Sequence, residues 1–151
     1  MTLTEKIEGD IKTAMKAREE LTVSALRMLK AACAESSLQK GKSSLEDGEV
    51  LEVIQKLLKQ RNESVEAFTK GGRMDLAQKE AKEAQILKAY LPPAMDEKEL
   101  RSLIEAAIRE LGASGPSAMG QVMKAVSPKV KGRADGKQVS TLVAQILQKG
   151  S

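Results

Sequence analysis

Histidine is absent from all 151 residues. That removes every mechanism built on imidazole, from Ser-His-Asp and Cys-His pairs to HExxH zinc sites and histidine proton relays. The single cysteine, Cys33, excludes an internal disulfide and a cysteine-rich metal site. It shares a helical stripe with Leu26 and Leu29 and reads as a small core residue rather than a nucleophile. Tryptophan is missing, and Phe68 and Tyr90 are the only aromatics. The core must therefore be built from Leu, Ile, Val, Met and Ala, and base-stacking platforms are disfavoured. No apolar run reaches transmembrane length, and Met1–Arg18 alternates charges instead of showing a signal-peptide core. The expectation is a soluble cytoplasmic protein without a membrane partner. Neither GxGxxG nor GxxxxGK[ST] occurs. No catalytic residue, cofactor or metal is assigned.

What is present is helical periodicity. Leu3, Ile7, Ile11, Ala14 and Met15 mark a first amphipathic helix, and Val23, Leu26, Leu29 and Cys33 a second that ends near Lys40–Ser44. A long third begins near Asp47 and runs through Val50, Val53, Ile54, Leu57, Leu58, Val65 and Phe68 to Gly71-Gly72. A fourth spans about Met74 to Tyr90, with alanines suited to close packing. Glu80 and Glu83 read there as solvated partners of Lys79 and Lys82. Pro92-Pro93 breaks the chain before Asp96-Glu97-Lys98-Glu99, acids that suit a helix N-terminus. Leu100, Leu103, Ile104, Ala107, Ile108 and Leu111 form the fifth helix, closed by Gly112. Helices around Met119–Val126 and Val139–Leu147 follow. Strand alternation is nowhere convincing. The predicted fold is all-α: a four-helix N-terminal domain over 1–93, then a three-helix tail domain over 94–151.

Charge is distributed unevenly along this plan. The formal net charge is +4, but residues 117–151 carry six cations against the single acid Asp135, a net +5. Residues 94–116 are net −2 and residues 1–93 net +1. Excess charge gathered on one element is the footprint of a polyanion partner. Pro128 is expected to end or kink the sixth helix near Ser127. Lys129 to Gly136 then forms a loop with two glycines, and Asp135 is placed to cap the seventh helix. Helix-start N–H groups beside Lys131, Arg133 and Lys137 are able to receive phosphate. The plainer alternative is a solvated interhelical turn.

Two stretches, KQRNESVEAFTKGGRMDLAQKEAKEAQILKAYLPPAM (Lys59–Met95) and MGQVMKAVSPKVKGRADGK (Met119–Lys137), resemble the YqeY family. These small bacterial proteins are similar to the tail of the B subunit of the glutamine-dependent Asp/Glu-tRNA amidotransferase. The resemblance spans essentially the whole chain; Ser127 departs from it, standing where relatives tend to carry an apolar residue. It implies an all-α tRNA-gripping module without the large catalytic part, and so binding of tRNA rather than amide transfer. An amidotransferase or an aminoacyl-tRNA synthetase is the protein partner it implies. By match, the RNA-binding residues are Lys124, Lys129, Lys131, Arg133 and Lys137, with Gly132 and Gly136 shaping the backbone.

Other polar positions carry plainer readings. Asp75 is expected to support a helix start and Arg73 to form an ion pair. Arg27 and Arg61, inside helical patterns, suit interhelical pairing as well as RNA contact. Tyr90 is expected at the domain junction with its hydroxyl on a polar partner. Two functions from other classes stay open: a protein-interaction adaptor in which the N-terminal helices dock an enzyme, and a small amidase or ligase acting alone.

Overall fold

The computed structural model describes residues 1–149, and it contains helices and no strand among them. The chain divides into two compact units, Met1–Leu91 and Pro92–Ser151. The last two positions of the expected tail domain, 150 and 151, lie outside the described residues.

In the first unit, α1 (Leu3–Lys16) opens with Thr2 as its cap, the hydroxyl accepting the Glu5 N–H at 3.1 Å. The Leu3 N–H donates to the Asp47 carboxylate at 2.9 Å, which ties this start to that of α3. Helix α2 (Glu20–Gln39) packs against α1; α3 (Asp47–Lys70) packs chiefly against α4 (Met74–Lys88), and α2 touches both. Ile7, Ile11, Leu26, Leu29, Leu45, Val50, Ile54 and Leu87 are the shared core. Helix α3 is roughly 36 Å long at 1.5 Å per residue. Only Val50 and Ile54 within it are fully buried, so its second half extends beyond the apolar core. Arg61 follows on the same stripe, and the stripe of α4 carries Glu80 between Ala77 and Ala84.

The second unit contains α5 (Glu97–Leu111), a short 3₁₀ turn at Pro116–Ala118, α6 (Met119–Val130) and α7 (Gly136–Lys149). Asp96 caps α5, its carboxylate accepting the Glu99 N–H at 2.7 Å. Leu100, Ile104, Val122, Val126, Val130, Val139, Leu142, Val143 and Leu147 form an interior without a buried charge. Pro128 neither ends α6 at Ser127 nor prevents the next turn: the helix runs on to Val130. A proline in the last turn removes one N–H, and burial of Val130 at 4% exposure holds that turn against the core.

Candidate nucleic-acid interface

The turn between α6 and α7 is built from both backbone and side chain. Lys131 leaves the helix with ψ of 127°, and the buried Gly132 takes φ of +77°, a left-handed conformation that favours glycine. The Val130 carbonyl accepts from the N–H groups of Arg133 (2.9 Å) and Ala134 (3.1 Å). Gly136 differs from the reading that both glycines serve unusual angles. It is the first residue of α7, its φ is not in the left-handed range, and a Cβ there would meet open space. Asp135 precedes it, and its carbonyl accepts the Val139 N–H at 3.0 Å.

Arg133 is engaged inside its own unit. Its Nε donates to the Pro93 carbonyl at 3.0 Å, and its Nη2 lies 3.2 Å from the Glu99 carboxylate. The Arg133 carbonyl in turn accepts the Met95 N–H at 2.9 Å. The guanidinium thus holds the segment entering α5 against the α6–α7 turn. The lysines differ. Lys124, Lys129 and Lys137 are exposed and belong to no ion pair among the described residues, and Lys131 is exposed beside them in sequence. Lys137 shares a shallow groove with Glu97, Asp135, Gln138 and Thr141. The first turn of α7 is therefore mixed in charge, and Lys124 and Lys129 belong to α6.

The first unit holds a charge cluster for which the sequence suggested Arg61's interhelical pairing but not its partners. Arg61 Nε lies 3.0 Å from Glu83 and 3.3 Å from Glu80, and Glu83 is 4% exposed. Arg61 also donates to the Met28 sulfur on α2. Glu80 and Glu83 are thus the counterions of an interhelical arginine, which corrects their reading as solvated partners of Lys79 and Lys82. The available signal was position: Ala77, Glu80, Ala84 and Leu87 form one stripe at helical spacing. Arg73 and Asp75 pair with each other at 3.5 Å on the surface. Tyr90 donates to Asp10 at 2.5 Å, with Lys6 over its ring at 5.3 Å from the centroid. Burial, and then the Asp10 carboxylate, raises the phenol's pKa. Burial also raises that of the half-buried Cys33 thiol, which makes it a poor nucleophile at neutral pH. No group of three or more Cys, Asp or Glu side chains among the described residues is placed to hold a metal ion. No described helix is long and apolar enough to cross a membrane.

Two small helical units, the second with a lysine-bearing turn, define the class structurally. The chain belongs to the YqeY family: the family model described as "Yqey-like protein" matches residues 4–147. It is 28% identical over 145 residues to "Altered inheritance of mitochondria protein 41, mitochondrial" of Pyrenophora tritici-repentis, covering 94% of this chain and 79% of that protein. To the protein of the same name from Eremothecium gossypii it is 32% identical over 107 residues, 70% of this chain and 58% of the relative. The Lachancea thermotolerans protein is 30% identical over 113 residues, covering 74% and 60%. The chain thus spans less than two thirds of the length of the latter two. These relatives are named as mitochondrial, which overturns the plain cytoplasmic expectation. The lack of long apolar runs does not distinguish cytoplasm from an organelle interior.

Proposed function

We propose that this protein is a tRNA-binding accessory module that engages RNA phosphates through the α6–α7 turn. The observation that carries this reading is charge: six cations against one acid over residues 117–151. Lys124, Lys129 and Lys137, exposed and outside the described ion pairs, support it. So do the first N–H groups of α7, which lack partners within the helix. Two aromatics in the whole chain favour phosphate and sugar contacts on folded RNA over base stacking. Arg133, engaged with Pro93 and Glu99, serves as the brace of the loop in this reading. The narrower form of the proposal is an accessory to tRNA-dependent amidation, beside an amidotransferase or an aminoacyl-tRNA synthetase.

The test is fluorescence anisotropy of labelled total tRNA, run over a salt series with duplex DNA as control. A Lys124→Ala/Lys129→Ala/Lys137→Ala variant leaves Arg133 and the loop in place. Three phosphate contacts predict a log K against log[salt] slope of about −2 to −3, flattened in the variant. Equal affinity for tRNA and DNA, or undiminished binding by the variant, would sink the proposal.

A further inference from the structure

An open groove lies where α1 passes into α2, lined by Met15, Arg18, Glu20, Val23, Ser24 and Arg27. Its lining combines the apolar Met15 and Val23 with two cations, Arg18 and Arg27, and one acid, Glu20. Met15 is 50% exposed; Met28, which follows Arg27 in sequence but lies outside the lining, is 43% exposed. A guanidinium lies against each sulfur: Arg27 Nη2 is 3.6 Å from Met15 Sδ, and Arg61 meets Met28 Sδ. Arg61 and Arg73 have carboxylate partners, whereas Arg18 and Arg27 take part in no ion pair among the described residues. Glu20, the one acid in the lining, is the first residue of α2, where the helix end favours negative charge.

The backbone adds an independent observation. Arg18 is the one described non-glycine residue with positive φ, at +59°. Its N–H bonds the Met15 carbonyl at 3.2 Å, and the Glu19 N–H bonds that of Ala14 at 3.0 Å, so the turn is held by main chain alone. Glycine is the residue such a helix end favours. An arginine stands there against the backbone's preference, which directs attention to its side chain.

The geometry points to this groove as a docking site for an acidic amphipathic segment of a partner protein. An apolar side chain of that segment sits on Met15 and Val23 while flanking carboxylates meet Arg18 and Arg27. Methionine and arginine are enriched at protein interfaces, where thioethers adapt to varied shapes and guanidinium pairs bidentately with carboxylate. A phosphate backbone would match the arginines but leave the thioether without a counterpart. The inference is independent of the RNA reading, which concerns the other unit.

The chain's seven methionines supply methyl probes for NMR on the whole 151-residue chain. The probe is a short synthetic helix with leucine on one face and glutamate beside it; the control has lysine for glutamate. The glutamate peptide should shift the Met15 methyl saturably, and the lysine peptide should not. Arg18→Gly/Arg27→Gln should weaken binding about tenfold or more, with the circular dichroism spectrum unchanged because the turn accepts glycine. The proposal is overturned by silence at the Met15 methyl, by equal response to the two peptides, or by undiminished binding in the variant. Shifts produced there by tRNA alone would make the groove a nucleic-acid surface. Shifts produced by concentration alone would make it a contact between copies.

Discussion

The two units reach stability by different means. The second has an uninterrupted apolar interior, from Leu100 and Ile104 through Val126 to Leu147, and its charged groups lie outside it. The first extends α3 and α4 beyond the reach of its core and holds that extension with Arg61, Glu80 and Glu83. Apolar burial is undirected and tolerates small shifts of one helix along another. An arginine between two carboxylates fixes the register of α3 against α4 but depends on every partner being present. Each unit is therefore vulnerable in its own way: the first through a lost counterion, the second through the backbone of its turn.

Removing the arginine should cost the first unit the most. Arg61→Ala leaves Glu80 and the buried Glu83 without their cation. Breaking a buried pair costs about 3–5 kcal/mol, and partial exposure of Glu80 places the expected loss near about 3. Urea denaturation should show it, with most of the loss recovered in Arg61→Met/Glu80→Gln/Glu83→Leu. Full stability in the single variant would show that the cluster carries no weight. In the second unit the matching change is Gly132→Ala, which forces a Cβ into φ of +77° at a buried position. A cost of about 1–2 kcal/mol follows from that angle. Gly136→Ala is the control: its backbone angle is not left-handed and its Cβ direction is open, so it should be neutral or slightly stabilising. Equal losses from both glycine variants would contradict the assigned turn.

The helices were readable because their causes are local. Apolar spacing marked α1 through α5, the Gly71-Gly72 pair closed α3, and the acids of Asp96–Glu99 marked the start of α5. Pro128 misled because proline's local preference is weaker than the burial of Val130 two residues on. The same limit applies at the candidate interface. Sequence grouped Arg133 with its neighbouring lysines by charge. The contacts that separate it from them, to Pro93 and Glu99, arise from residues 40 and 34 positions away. Arg61 with Glu80 and Glu83 is nonlocal in the same way. Arg18 is legible in neither manner, since nothing in its neighbours' identities requires a positive φ.

The smallest effect is expected at a charge cluster whose lysines are exposed, unlike the arginine and carboxylates around Arg61. Glu49 accepts the Glu46 N–H at 3.0 Å and pairs with Lys42 and Lys40, each at 2.9 Å. The backbone bond first, and then the two ammonium groups, lowers its pKa from 4.5 to about 2. A carboxylate with a lowered folded-state pKa stabilises the fold fully above its unfolded value and loses that contribution as protons bind. The melting-temperature difference between wild type and Glu49→Gln should therefore be complete above about pH 4.5. It should shrink between 4.5 and 2 and vanish below. Added salt should diminish the part due to the lysines, because exposed pairs are screened. The Glu46 N–H bond, being local to the first turn of α3, should survive that screening. A difference that persists unchanged below about pH 2 would assign the effect of the Glu49→Gln substitution to altered packing. Glu49 would then have no part in the acid sensitivity of this unit.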